Sequence, residues 1–125
     1  MINAVHTVVY ADDPAAARQF FRDVLGWPYV DAHEGWLIFR TGPSELGVHP
    51  TSGLHEGEPW STAAHHEITL MCDDLAETMA ELEGKGAEFS GEVKQAGFGL
   101  TAKLKVPGAS EMTLYQPRHP LAHSL

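Results

Sequence analysis

The sequence predicts an α+β fold made of two tandem βαβββ modules, whose curved mixed sheets form a ligand cavity and carry their helices on the outer face. Three observations support this prediction. The chain has 125 residues, a length typical of one domain. A short apolar run that ends in Asp-Asp and leads into a helix occurs twice. Three strand-like runs follow each of the two helices.

The first module, about residues 2–50, opens with a predicted strand at residues 6–10. Asp13 and Pro14 then begin a helix over residues 14–25, because aspartate caps helix starts and proline suits the first helical position. Apolar side chains at helical spacing predict that one face of this helix packs into the core. The strand-like runs that follow are residues 28–32, 36–41 and 45–49.

The second module, about residues 65–117, repeats this order. Its first strand, at residues 67–71, leads through Asp73 and Asp74 into a helix over residues 75–83. The strand-like runs that follow are residues 88–94, 100–106 and 111–116.

Two other regions complete the single domain expected for residues 1–125. The linker, residues 51–64, is rich in Gly, Pro, Ser and Glu, and we expect it to be a loop. The C-terminal arm, residues 118–125, is expected to be loosely held.

The composition narrows the classes of protein to consider. There are 17 acidic and 8 basic residues, and the resulting net charge of −9 disfavours nucleic acid as a partner. No apolar run reaches the length of a membrane helix, and no secretory signal is visible. Cys72 is the only cysteine, which excludes an intramolecular disulfide. We therefore expect a cytoplasmic protein without a membrane partner.

Alternation along the predicted strands divides their residues between two faces. A consistently apolar set that includes Val5, Val9, Ile68, Leu70 and Leu114 should cover the helices. A mixed set should line the cavity, and it consists of His6, Gly47, His49, Glu67, Thr69, Thr113 and Tyr115. Imidazole and carboxylate groups that converge on a cavity suit a divalent metal ion, although an inward histidine also serves as a simple hydrogen-bonding group. Flat apolar walls are expected from Trp36, Phe98 and Tyr115.

The doubled βαβββ unit, with His6-Thr7-Val8-Val9 near the start and Asp-Asp before each helix, resembles the vicinal oxygen chelate superfamily. Gly97-Phe98-Gly99-Leu100, Val106-Pro107-Gly108 and Leu114-Tyr115-Gln116-Pro117 look like the second-module signature of its small bacterial members. The superfamily includes glyoxalase I, extradiol dioxygenases, fosfomycin-resistance enzymes and bleomycin-binding proteins. Because this fold hosts several chemistries, the resemblance bears on the fold more directly than on the function.

In the metal-dependent members of that superfamily, ligands come from the first and last strands of both modules. Carried over by position, these sites fall at His6, Gly47, Glu67 and Thr113. Gly47 has no side chain, and Thr113 stands where glyoxalases and dioxygenases usually have glutamate. His49, two residues after Gly47, would complete a set of two histidines and one carboxylate with His6 and Glu67. The resemblance then implies Fe, Mn, Zn or Ni as the divalent ion.

Two functions follow as alternatives, beside a degenerate relative with a structural or regulatory role. One is a metal-dependent lyase or dioxygenase, in which the ion chelates vicinal oxygens of a small-molecule substrate and Glu67 also acts as a catalytic group. The other is a metal-free binding protein of the antibiotic-sequestering kind, with an acidic, aromatic-lined groove for a cationic or planar compound. The two modules can pair within one chain or exchange across a two-fold axis, and we expect a homodimer.

Overall fold

The computed structural model describes Ala4 and residues 6–125. Residue 2, where the first module was expected to begin, and Val5, expected on its helix-covering face, lie outside the described residues. The elements are α1 (Pro14–Asp23), β1 (Tyr29–Asp31), β2 (Leu37–Phe39), β3 (Ser52–His55), β4 (Glu58–Ser61), β5 (Thr69–Met71), α2 (Leu75–Gly84), β6 (Phe89–Ala96), β7 (Gly99–Leu104), β8 (Met112–Pro117) and a 3₁₀ helix (Ala122–Ser124). They confirm the predicted α+β fold class.

Both helices begin at aspartates that the sequence predicts as caps. The Asp13 carboxylate accepts a hydrogen bond from the amide of Ala16 at 3.0 Å. In the same way, Asp74 accepts one from the amide of Glu77 at 3.0 Å. These bonds satisfy amides that have no partner within the first helical turn. Among the described residues, no helix is long and apolar enough to cross a membrane.

A four-stranded mixed sheet, with strand order β5-β8-β7-β6, occupies the second half of the chain. β5 pairs with β8 in parallel, whereas β8, β7 and β6 pair antiparallel. A parallel pair needs a crossover connection, and the chain between β5 and β8 begins with α2. This half therefore has the predicted βαβββ order, and the sheet stays open with β5 and β6 at its edges.

The core contains residues from both halves of the chain. It is one cluster, and its buried members are Ala17, Phe20, Phe21, Leu75, Leu82, Ala87, Ala102, Leu104, Val106, Met112 and Leu114. The side chains from α1 thus pack into the same core as those of the second-half sheet. A hydrogen bond of 3.0 Å from the Asp13 amide to the Gly108 carbonyl anchors the start of α1 to the turn between β7 and β8.

Two strands expected in the first half do not form in the described part of the chain. Residues 6–10 and 45–49 have no regular secondary structure, although their residues alternate as in strands. A strand needs a hydrogen-bonded neighbour, and neither segment belongs to a described sheet. These two predictions were wrong because alternation reports which side chains share a face, not whether the backbone has a partner. The first half instead contributes α1 and the β1–β2 hairpin.

The segment predicted as a linker loop, residues 51–64, contains a β-hairpin. β3 and β4 pair antiparallel, and Glu56 and Gly57 connect them with φ angles of 51° and 80°. Positive φ at both central residues is typical of a type I′ turn, whose twist suits a hairpin. The indole of Trp60 lies over Gly53, its partner in the register. The loop prediction was wrong because Glu-Gly is not one of the usual signals of this turn.

The C-terminal arm, residues 118–125, is anchored to the rest of the chain. The Glu45 carboxylate accepts a hydrogen bond from the Ala122 amide at 2.8 Å and lies 3.6 Å from Nε2 of His119. A carboxylate from the first half thus caps the 3₁₀ helix of the arm, and the expectation that the arm is loosely held stays a prediction.

Candidate functional site

The sheet face opposite the core carries polar side chains. Thr69 of β5 pairs with Thr113 of β8, and Thr113 pairs with Lys103 of β7. Residues paired across strands share a face, so these three form one row. Tyr115 lies two positions after Thr113 and therefore on the same face. The structure places three of the expected cavity residues, Thr69, Thr113 and Tyr115, on this face.

A hollow of about 390 Å³ lies beside this row. Residues 8–10, 66–68 and 110–113 line it, together with Lys103. The hollow brings the start of the first half beside the chain that enters β5. Its volume lies within the range found for sites that bind small molecules.

Glu67, the predicted catalytic residue and metal ligand, is engaged by a neighbouring histidine. Nε2 of His65 lies 3.1 Å from Oε1 of Glu67, and Nδ1 of His65 lies 2.7 Å from the carbonyl oxygen of Ala63. Both partners are acceptors, so only a doubly protonated imidazolium donates to both. These two hydrogen bonds raise the pKa of His65, the one to Ala63 more strongly.

The contact with His65 also changes the pKa of the Glu67 carboxylate. The hydrogen bond from His65 lowers the pKa of Glu67, and the charges of Lys103 and His49 lower it further. The ionised form of Glu67 is therefore favoured, and its carboxylate is engaged by His65.

Lys103 brings a positive charge to a position where the resemblance places a metal ligand. Its Nζ donates a hydrogen bond to Oγ1 of Thr113 at 2.9 Å. An ammonium group at this point repels a divalent cation, and the threonine hydroxyl offers no negative charge to offset that repulsion.

The predicted metal ligands are not gathered into a site in this arrangement. Within Ala4 and residues 6–125, no group of three or more His, Cys, Asp or Glu side chains is positioned to hold a metal ion. His6 and His49 are exposed, in segments without regular secondary structure. Gly47, in the same segment as His49, has no atom within 4 Å of the place where a Cβ would stand. The donors as arranged therefore do not fit a divalent ion, and ligation by His6, His49 and Glu67 stays a prediction.

Two of the three expected aromatic walls contact each other. Phe98, in the turn between β6 and β7, meets Tyr115 edge-on with ring centroids 5.8 Å apart. The Tyr115 hydroxyl donates to the Phe98 carbonyl at 3.0 Å, and burial raises the pKa of this phenol. Trp36, between β1 and β2, instead has the guanidinium of Arg18 over its ring at 4.7 Å.

Two residues that contact predicted site residues, His65 and Lys103, are missing from the predicted site. The signal for Lys103 was present, since alternation along residues 100–106 separates it from the buried Ala102 and Leu104. His65 lies two positions before Glu67, a spacing that puts both side chains on one side of an extended chain.

The fold and this face define a class of small α+β protein with a βαβββ sheet, a core on one face of the sheet and an open polar hollow on the other. The family model of the Glyoxalase/Bleomycin resistance protein/Dioxygenase superfamily matches residues 3–106. The chain therefore belongs to this superfamily. No curated protein sequence matches the chain.

Solved structures with the same fold differ in what they do. Lactoylglutathione lyase from Agrobacterium tumefaciens superposes with a TM-score of 0.60 at 18% identity, over 91% of this chain and 93% of that one. TnmS3, an antibiotic binding protein from Streptomyces sp. CB03234, superposes with a TM-score of 0.56 at 18% identity, over 93% of this chain and 97% of that one. A mutant of the fosfomycin resistance protein FosX from Listeria monocytogenes, in complex with Mn(II), has a TM-score of 0.54 at 12% identity, over 94% of this chain and 92% of that one. At these identities the similarity shows the fold alone.

Proposed function

We propose that this protein binds a small organic molecule at the polar sheet face without a metal ion. The hydrogen bond from Nζ of Lys103 to Oγ1 of Thr113 carries the proposal. It supplies a fixed positive charge where a metal-dependent relative would need an anionic ligand, so the protein itself provides the cation of the site.

The surroundings of Lys103 suit an organic ligand. The hollow beside it offers carboxylate, hydroxyl and ammonium groups, and Tyr115, one step along the same face, carries Phe98 against its ring. Small-molecule sites combine such an apolar wall with a few polar groups that fix orientation. TnmS3, which shares the fold, is an antibiotic binding protein, and we extend the same kind of role to this chain.

One preparation tests metal content and ligand binding together. Untagged protein, purified without chelator or metal-affinity resin, is analysed for Fe, Mn, Zn and Ni, and planar aromatic compounds are then screened by thermal shift with and without EDTA. We expect far less than one equivalent of metal. A ligand at 100 times its Kd should stabilise the protein by about 2.7 kcal/mol in both buffers. A near-stoichiometric ion that His6→Ala removes would overturn the proposal.

A second candidate is the metal-dependent lyase or dioxygenase with His6, His49 and Glu67 as ligands. The observation that favours it is that His49 is among the groups whose charge lowers the pKa of Glu67. This candidate requires Glu67 to leave His65 and Lys103 to leave Thr113. If it holds, the wild type takes up one equivalent of an offered ion and Glu67→Gln does not.

We also propose that two copies of the chain form a homodimer. Tyr10, Leu46 and Val48 are 90%, 85% and 87% exposed. They lie in the two segments that alternate like strands but belong to no described sheet. Pairing with a second copy would satisfy the backbone of these segments and remove apolar side chains from water.

Sedimentation tests the dimer. The wild type should sediment at twice the 13.6 kDa of one chain. Val48→Glu should shift it to the single-chain mass, because a carboxylate buried in an apolar interface loses its hydration. Leu125→Glu, at an exposed terminal residue outside those segments, is the matched control and should stay dimeric. A wild type that sediments as a clean single chain would contradict the dimer.

A further inference from the structure

Strand β6 bulges away from β7. Ser90 pairs with Lys103 and Lys94 pairs with Thr101, so residues 91–93 stand opposite a single residue of β7. A bulge leaves backbone groups without ladder partners and redirects the side chains on either side of it, and bulges are common beside functional sites. Gly91, the first bulged residue, has a φ of 68°.

A second hollow, of about 170 Å³, lies at this bulge. Its lining includes Ser90, Gly91, Glu92, Lys94, Thr101 and Lys103. Lys103 thus borders both hollows of the polar face. Since an ammonium group has three donors and Thr113 takes one, Lys103 keeps donors for a ligand.

The two lysines of this hollow have no carboxylate partner in the described part of the chain. Lys85 and Lys105, by contrast, each lie 3.8 Å from a glutamate oxygen. Lys94 and Lys103 both line this hollow, and an anion bound in it would be attracted by both positive charges. Their placement is notable in a chain whose net charge is −9.

Three acidic residues lie near these lysines, and two of them are already engaged. Glu111 accepts a hydrogen bond from the hydroxyl of Ser90, and Glu67 is bound by His65. Glu92 lines the hollow itself and would repel an anion on its own side. The position we consider for an anion is therefore the side of the hollow lined by Lys94, Thr101 and Lys103.

We propose that this hollow binds the acidic oxygen group, a carboxylate or a phosphate, of the small molecule that the protein takes, with Lys94 and Lys103 as its two cationic partners. This inference rests on the proposed function and specifies its ligand class. The anion replaces part of the hydration of both ammonium groups and receives charge-assisted hydrogen bonds from them.

The register also gives the distance between the lysine side of this face and its aromatic residues. Lys94 pairs with Thr101, and Thr101 pairs with Tyr115, so one row crosses three strands. Neighbouring strands lie about 4.8 Å apart, so roughly 10 Å separate the backbone at Lys94 from that at Tyr115. We expect an aryl phosphate or a longer aromatic acid held at Lys94 to extend its ring toward Tyr115 and Phe98. The cationic compound expected from the overall charge would meet two lysines here.

Inorganic phosphate, benzoate and phenyl phosphate serve as probes in NMR titrations of backbone amides. In the wild type we expect phosphate and phenyl phosphate to shift the amides of residues 91–93, with phenyl phosphate binding more tightly. Lys103→Gln and Lys94→Gln should each weaken binding about tenfold or more, because each removes a charged hydrogen-bond donor. Lys105→Gln removes a lysine that already has a partner and should leave the affinity unchanged. Circular dichroism and the melting temperature confirm that each variant is folded.

The outcomes separate this inference from the proposed function. Equal affinity in Lys103→Gln, Lys94→Gln and Lys105→Gln would overturn the anion site. If neutral aromatic compounds then still bind without metal, the proposed function is upheld and only the proposal of an acidic ligand is overturned. Phosphate shifts at residues 91–93 that disappear in both lysine variants would uphold the anion site even if the screen for larger ligands fails.

Discussion

At the scale of single residues, the contact between His65 and Glu67 affects the protonation of both side chains. The imidazole faces two acceptors, the carbonyl of Ala63 and the carboxylate of Glu67, and this arrangement stabilises the doubly protonated ring. We expect the pKa of His65 in the folded protein to lie above its usual value of 6.5. Glu67→Gln should lower this pKa part of the way back, since the Ala63 contact remains.

Proton NMR titration of the histidine ring signals measures this effect. Glu56→Gln, at the hairpin turn, is the control and should leave the His65 titration unchanged. The same pKa for His65 in the wild type and in Glu67→Gln would show that the ion pair does not form in solution.

The signs of the two pKa shifts define the pH range of the pair. Because the pKa of His65 is raised, its stabilising contribution is complete below the unfolded value near 6.5 and is lost as the pH rises through the folded value. Because the pKa of Glu67 is lowered, its contribution is present above the unfolded value near 4.5 and is lost as the pH falls through the folded value. The pair is therefore complete in mildly acidic solution, where His65 is charged and Glu67 ionised.

At the scale of elements, the helix caps make a quantitative prediction. Asp74→Ala should lower the free energy of unfolding by about 1 kcal/mol, because the Glu77 amide loses its acceptor. Asp74→Asn should retain most of the stability, since asparagine caps helices about as well as aspartate. Urea unfolding measures both changes.

Asp73→Ala is the matched control, because the α2 cap bond is made by Asp74. An exposed residue of this kind contributes within about 0.5 kcal/mol when replaced. Equal losses in Asp73→Ala and Asp74→Ala would mean that the helix start draws no specific stability from its cap.

The elements that the sequence predicts well are those set by local signals. α1 and α2 have a cap and an apolar stripe within about three turns, and both are observed close to the expected bounds. The strands of the second half combine alternation with short turns. Residues 6–10 and 45–49 carry the same alternation but have no pairing partner in the described chain. Strand formation there depends on a distant segment, which a local pattern does not report.

The site was harder to predict than the fold for a related reason. Thr113 and Tyr115 lie on the expected face because period-two alternation decides it. The contact of Lys103 with Thr113 instead depends on the register of β7 against β8, which sets the two residues opposite each other. The His65–Glu67 pair involves a residue before the strand begins, where alternation has no fixed reference.

At the scale of the whole molecule, the shared core couples the two halves of the chain. Leu104 is completely buried in a cluster that also contains Phe20 and Phe21 of α1. Leu104→Ala should therefore lower the free energy of unfolding by about 2–5 kcal/mol, through lost burial and the cavity left behind. Guanidinium unfolding followed by Trp fluorescence and by circular dichroism should give coincident transitions.

Leu54→Ala, at a leucine that is 74% exposed in the β3–β4 hairpin, is the control and should change stability little. Separate transitions for the two probes in the wild type would show that the halves unfold independently and that the core is not shared in solution.

The parallel pairing of β5 with β8 has a consequence for the order of folding. β6, β7 and β8 follow one another along the chain and close short loops, whereas β5 meets β8 only after the chain has passed through α2 and two strands. The amide of Cys72, bonded to the Tyr115 carbonyl at this edge, should therefore exchange with solvent deuterium faster than that of Ala102 in β7. The reverse order would show that β5 is as firmly held as the central strands. We therefore expect β5, the strand that Glu67 precedes, to pair after β6, β7 and β8 and to open before the central strands.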